Sequence, residues 1–159
     1  MDWATQTDDL AGFLSRGASG SETKNVLKQR RAIGRYSARL GAQSLLVSCP
    51  LPSSPASSHE QNSAPHPSIL ARDAFADLLA FRADQTIVVS GHRDSGKSVV
   101  SKIVSQQLID LSLNGKKKSR VLSGAAKLEI VMDSFGSVQD PQCVHMLQFG
   151  RYTVIASLF

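Results

Sequence analysis

The chain has 159 residues, 42% of them hydrophobic and 19% charged, with a formal net charge of +5. That length allows one modest core. The weak, scattered basic excess and nine aromatic side chains (six Phe, two Tyr, one Trp) do not make a nucleic-acid stripe. Cys49 and Cys143 have no metal-ligand spacing, and His59, His66, His92 and His145 form no paired ligand pattern. The thiols suit a reducing cytosol. The N-terminus is acidic and polar, unlike a signal peptide, and no run approaches the ~18 apolar residues that cross a bilayer.

In chain order, residues 1–49 form a first segment of helix and strand. Lys24 to Ile33 reads as a basic helix, and Ser44-Leu45-Leu46-Val47-Ser48 is a run of strand length. Residues 50–67 hold five of the six prolines and a serine cluster, which predicts a flexible linker from Pro50 to Pro67. Residues 68–159 carry the rest. Ser68 to Phe81 is predicted helical, capped by Ser68, because Leu70, Ala74 and Leu78 share one stripe. Thr86-Ile87-Val88-Val89-Ser90 reads as a buried strand. A helix from Lys97 to Leu111 follows, lined by Val100, Ile103, Val104 and Leu108. Lys116 to Arg120 is a charged loop, Ala125 to Phe135 a further helix and Arg151 to Phe159 a last strand. This order predicts an α/β architecture of the P-loop NTPase kind, a partial mixed sheet flanked by helices.

Between the expected strand and helix lies Gly91-His92-Arg93-Asp94-Ser95-Gly96-Lys97-Ser98, which satisfies Gly-x-x-x-x-Gly-Lys-Ser/Thr. Gly91 lets the chain turn away from the strand, and Gly96 lets backbone amides approach phosphate without a Cβ between them. Those amides and the next helix's N-terminus form an anion site. Lys97 reaches the β- and γ-phosphates, and the Ser98 hydroxyl ligates Mg²⁺. Asp94 puts a negative charge in the loop that Arg93 offsets. The bland alternative is a surface turn containing Gly-Lys-Ser.

Five segments in order resemble a myosin motor head. They are Val26-Leu27-Lys28-Gln29-Arg30-Arg31 with Leu45–Ser48, Ala71-Arg72-Asp73-Ala74-Phe75, Gln85 to Ser98, Val131-Met132-Asp133-Ser134-Phe135-Gly136, and Gln148-Phe149-Gly150-Arg151-Tyr152. Together they span about residues 8–159. Ser98, Ser134 and Tyr152-Thr153 are similar to the myosin-like domains fused to fungal chitin synthases. The resemblance implies ATP with Mg²⁺, a cytoplasmic place near cytoskeleton or vesicles, and actin or the remainder of a motor head as partners.

Two departures stand against a working motor. The family's first switch carries Asn-x-x-Ser-Ser-Arg before Phe-Gly, and the positions aligned here are Cys143, Met146, Leu147 and Gln148. Leu147 cannot ligate a metal, and Gln148 cannot form the ion pair expected of Arg. The chain also ends at Phe159, before a second switch or an actin-binding surface. The expectation is therefore a truncated or degenerate head that holds phosphates without cycling, and whose fold is marginal or partner-dependent. One alternative is a small P-loop ATPase or kinase in which Leu128 to Asp133 is a strand ending in a Mg²⁺ ligand, Asp133. Another is a non-enzymatic interaction module with a vestigial loop.

Overall fold

A computed structural model describes residues 3–48, 65–92, 95–113, 118–140, 143–147 and 153–154. The chain divides into two compact units, Met1–Leu70 and Ala71–Phe159.

In the first unit, α1 (Trp3–Gln6), α2 (Ala11–Ser15) and α3 (Gly20–Ala32) precede a hairpin of β1 (Ser37–Arg39) and β2 (Leu45–Val47). Helix α3 begins a turn before the expected Lys24. The reason is a capping box: the Glu22 amide donates to Ser19 Oγ at 3.3 Å, and the Ser19 amide donates to Glu22 Oε2 at 2.8 Å. Those bonds favour the carboxylate and hold the Glu22 pKa below its ordinary value. Strand β2 falls within the expected Ser44–Ser48. Its partner β1, too short and polar to stand out in sequence, runs antiparallel with Ala38 opposite Leu46. The Leu10 amide donates to Arg39 O at 2.9 Å and the Arg39 amide to Asp8 O at 2.7 Å, so the chain before α2 lies along β1.

The core of this unit is small: Ala4, Leu10, Val26 and Ala38 are buried, with Phe13, Leu27, Leu40 and Leu46 packed against them. Arg30, at 2% exposure, is one of its largest buried side chains. Its Nη1 donates to the carbonyls of Ala4 (3.1 Å), Thr5 (3.3 Å) and Thr7 (2.5 Å), and its Nη2 to that of Ser37 at 3.0 Å. Desolvation pulls the Arg30 pKa down, nearby Arg35 adds to that, and Asp8 opposes it.

Helix α4 (Pro67–Phe81) matches the expected Ser68–Phe81. Its cap is His66 and not Ser68, which is already inside the helix. The Ser68 amide donates to His66 Nδ1 at 3.2 Å, and the Ser68 hydroxyl lies 2.8 Å from the same atom. Pro67 suits the first helical position, where no amide bond is needed. Of the expected linker, residues 50–64 lie outside the described residues. Its last part, Pro65 to Pro67, is anchored: both prolines are buried, and the Pro65 carbonyl accepts from the Ser37 hydroxyl.

Desolvation lowers the His66 pKa below its ordinary 6.5. The bond from the Ser68 amide to Nδ1 needs the neutral ring, with that nitrogen unprotonated. A lowered folded-state pKa means that the cap's contribution is complete above the unfolded value and is lost as pH falls through the folded one. Amide-exchange protection of the first turn of α4, corrected for intrinsic rates, is therefore expected to drop on acidification below the ordinary histidine range. His66→Ala should remove that pH dependence.

In the second unit, α5 (Lys97–Ser112) and α6 (Lys118–Gly136) pack together, with Val104 of α5 buried. Lys102 Nζ lies 3.5 Å from Asp133 Oδ2 and ties the two helices. Helix α5 agrees with the expected Lys97–Leu111. Helix α6 contains the expected Ala125–Phe135 and adds two turns before it. Part of the predicted Lys116–Arg120 loop, Lys118–Arg120, is thus helical, as the helix propensity of Lys and Arg allows. Lys116 and Lys117 lie outside the described residues. A second antiparallel hairpin follows, β3 (Ser137–Asp140) with β4 (Cys143–Leu147), where Val138 faces Met146.

The sheet expected from sequence differs most. Among the described residues there are two separate two-stranded antiparallel sheets and no mixed sheet. Thr86–Ser90 has no regular secondary structure, and Val88 is 79% exposed. Its β-branched composition suits a strand, but a strand exists only when a neighbour takes its backbone groups. Both hairpins that form join segments close in sequence, for which loop closure costs least. The last predicted strand lies outside the described residues, apart from Thr153 and Val154, which have no regular structure. No helix among the described residues is long and apolar enough to cross a membrane.

Candidate phosphate-binding loop

The glycine motif sits where the irregular segment 82–91 meets α5. Gly96 is the N-cap of α5 and has φ 84°, ψ 17°, in the left-handed region that favours glycine. The Val100 amide makes the first helical bond, to Gly96 O at 3.1 Å. The amides of Lys97, Ser98 and Val99 therefore have no acceptor within the helix, and no side chain caps them. They form the positive end of a helix of 16 residues.

Gly91 supports this end from the other side of the loop. A Cβ built on Gly91 would lie 2.7 Å from Ser95 Oγ and 3.7 Å from Lys97 Cγ, so the loop closes against its bare Cα. Lys97 folds back over it. Its Nζ donates to Gly91 O at 3.0 Å and to His92 O at 2.5 Å. The Ser95 amide donates to His92 O at 3.2 Å and tightens the turn. An ammonium group has three N–H bonds. Two carbonyls take two of them, which fixes the charge over the loop and leaves one donor for an outside acceptor.

Six of the eight motif residues, Gly91, His92, Ser95, Gly96, Lys97 and Ser98, thus lie on one turn and the start of one helix. Arg93 and Asp94 lie outside the described residues, and with them the charge balance expected between the two. Ser98 is exposed in the first turn of α5. His92 contributes its carbonyl, which accepts from Lys97 Nζ and the Ser95 amide. The lysine's contacts to the Gly91 and His92 carbonyls leave no mark in side-chain identity and were not legible beforehand.

The other candidates separate from the loop or fall away. Asp133 was expected, in one reading, to end a strand and ligate Mg²⁺. It lies inside α6 and pairs with Lys102, so the strand that would have presented it does not exist. The apolar run around it has helical period, with Glu129 and Lys127 breaking any strand alternation. Of the switch-like positions, Cys143, Met146 and Leu147 belong to β4, and Gln148 lies outside the described residues. Among the described residues no three His, Cys, Asp or Glu side chains gather as a metal cage.

Part of the chain is similar to known proteins. Unconventional myosin-Ia from Gallus gallus is 27% identical over 88 residues, which is 55% of this chain and 8% of that protein. Chitin synthase 5 from Cryptococcus neoformans var. grubii is 30% identical over 91 residues, 56% of this chain and 5% of that protein. Myosin-4 from Saccharomyces cerevisiae is 25% identical over 96 residues, 57% of this chain and 6% of that protein. The chain spans less than a tenth of the length of these relatives. No protein-family model and no solved structure matches it. Distant similarity to both myosins and chitin synthases agrees with the two directions in which the sequence motifs point.

The left-handed cap gives a local test. A Cβ at Gly96 would sit in a backbone conformation that costs an L-residue about 1–2 kcal/mol. Gly96→Ala is expected to lower the thermal midpoint modestly and to weaken anion binding at the loop more than stability. Thermal melts with and without pyrophosphate measure both.

Proposed function

We propose that this chain binds the phosphates of ATP or ADP through Gly91–Ser98, as a myosin-head-like segment of the P-loop NTPase kind that does not run a competent ATPase or motor cycle. The observation that carries the reading is the ammonium of Lys97, held by the Gly91 and His92 carbonyls beside the uncapped amides of α5. Phosphate oxygens would accept from the remaining Nζ donor and from the amides of Lys97, Ser98 and Val99. Ser98 would supply one oxygen to Mg²⁺ that arrives with the nucleotide, which fits a metal that takes most of its ligands from phosphate and water. When bound, that ion neutralises charge between the β- and γ-phosphates.

The absence of turnover rests on chemistry. Leu147, at the position aligned with a switch hydroxyl, has no oxygen to offer, and Gln148 carries no charge to form the ion pair expected of Arg there. The similarity to myosins and chitin synthases supports actin or the rest of a motor head as partner. It also supports a cytoplasmic place near the cytoskeleton or vesicles, within a fungal chitin synthase system.

Two measurements test the reading. Calorimetric titration with Mg-ATP should give saturable binding; no heat at millimolar nucleotide would mark the loop as vestigial and leave an interaction module. Phosphate release should stay at buffer background, with filamentous actin adding nothing. Turnover above background would refute the switch argument.

A further inference from the structure

The basic residues of the first unit divide into two sets. Arg30 sits among backbone carbonyls, Arg35 Nη1 pairs with Asp8 Oδ1 at 2.7 Å, and Arg16 and Arg39 also have partners. Lys24, Lys28 and Arg31 are exposed, and among the described residues their side chains make no hydrogen bond or ion pair. All three lie on α3 at positions i, i+4 and i+7, so they form one stripe about 10 Å long. Buried Val26 and Arg30 mark the inner side of the helix.

Carboxylates do not offset the stripe. Asp8 holds Arg35, Asp9 accepts from the Ala11 and Gly41 amides, and Glu22, the one acid of α3, is held in the capping box. Free carbonyls at the end of α3 favour cations in its last turn, which accounts for Arg31. Lys24, in the second turn, gains nothing from them.

The stripe offers charge without an anchor. Helix α3 has no aromatic side chain, and Val26 and Leu27 pack into the core. A protein partner gains affinity mainly from anchors seated in pockets, and a convex row of cations supplies neither. A flat anionic surface needs neither. Three long side chains on one line reach it together, their stems extending while the helix stays outside. We propose that the outer face of α3, through Lys24, Lys28 and Arg31, binds the anionic headgroups of a lipid bilayer.

The whole chain carries +5, so the test separates the stripe from net charge. The full chain should sediment with phosphatidylcholine vesicles that contain phosphatidylserine and not with phosphatidylcholine alone. Raising salt from about 0.1 M to about 1 M shortens the screening length from about 10 Å to about 3 Å and should release it. Each cation near such a bilayer raises partitioning about fivefold, so the triple variant Lys24→Gln, Lys28→Gln, Arg31→Gln should bind roughly a hundredfold more weakly. Gln keeps the helix propensity, and helical circular dichroism should not change. The triple Lys116→Gln, Lys117→Gln, Lys118→Gln removes the same charge elsewhere and should keep most of the binding. In the wild-type chain, vesicles should protect Lys24 and Lys28 from acetylation and leave the exposed Lys127 reactive.

No sedimentation with phosphatidylserine vesicles would overturn the proposal, as would an equal loss in the two triples. Retention on polyglutamate or duplex DNA without vesicle binding would also overturn it, and would assign the stripe to an acidic protein or a nucleic acid. If the α3 triple loses its helical signal, the acetylation pattern decides alone: Lys24 and Lys28 as reactive on vesicles as off them would refute the contact.

Discussion

Lys97→Ala is expected to weaken Mg-ATP binding roughly ten- to hundredfold while leaving the fold intact. The ammonium is the one charged donor that the described part of the loop aims at an incoming phosphate, and it is already fixed by the Gly91 and His92 carbonyls. A charge-assisted hydrogen bond contributes about 1.5–3 kcal/mol. Its loss corresponds to roughly a ten- to hundredfold fall in affinity. Gly91 and His92 are exposed, so water replaces the lysine on their carbonyls, and the stability change should stay within about 0.5 kcal/mol. Paired calorimetry and thermal melts separate the two effects. Lys97→Arg is expected to recover only part of the binding, because a planar guanidinium does not nest between two carbonyls as a compact ammonium does. Equal Mg-ATP affinity in Lys97→Ala and wild type would end the phosphate-loop reading.

The loop was legible because its chemistry is local. Gly91, Gly96, Lys97 and Ser98 carry their roles in their identities and spacing, and the helix they cap announces itself through Val100, Ile103, Val104 and Leu108. The same holds for α4 and α6, where a 3.6-residue period survives without any partner. The sheet did not follow, because a strand is a property of two segments. Thr86–Ser90 has the composition of a strand and no partner among the described residues, while the polar Ser37–Arg39 has little of that composition and pairs with Leu45–Val47. Strand β4 was hidden for a related reason: Cys143–Leu147 reads as part of a switch motif, and only its pairing with Ser137–Asp140 makes it a strand. Asp133 shows the cost of reading a short apolar run as a strand. One turn of helix periodicity around it, together with Lys102 on the facing helix, decides its role.

Arg30→Ala is expected to destabilise the first unit by about 1.5–3 kcal/mol, the range for hydrogen bonds made by a charged group. In sequence Arg30 is one basic residue among several on a helix that looks solvated, and nothing marks it for burial. Its partners are backbone carbonyls 23 to 26 residues earlier, together with Ser37, and only the fold brings them within reach. The fork of the guanidinium joins the end of α1 and the chain before α2 to the start of β1. Few apolar side chains are buried in this unit, and this guanidinium ties those segments to α3 directly. Truncation would leave a cavity and strip donors from carbonyls that are not fully open to water, two penalties in the same place. Arg30→Lys keeps the charge but replaces a fork with a point donor. It should recover some stability without restoring both the Nη1 and Nη2 contacts. Denaturant melts followed by far-ultraviolet circular dichroism, with the exposed Arg31→Ala as control, should rank wild type and Arg31→Ala above Arg30→Lys, and Arg30→Lys above Arg30→Ala. An Arg30→Ala midpoint equal to that of Arg31→Ala would mean that these carbonyls find other donors and that the guanidinium is not the tie.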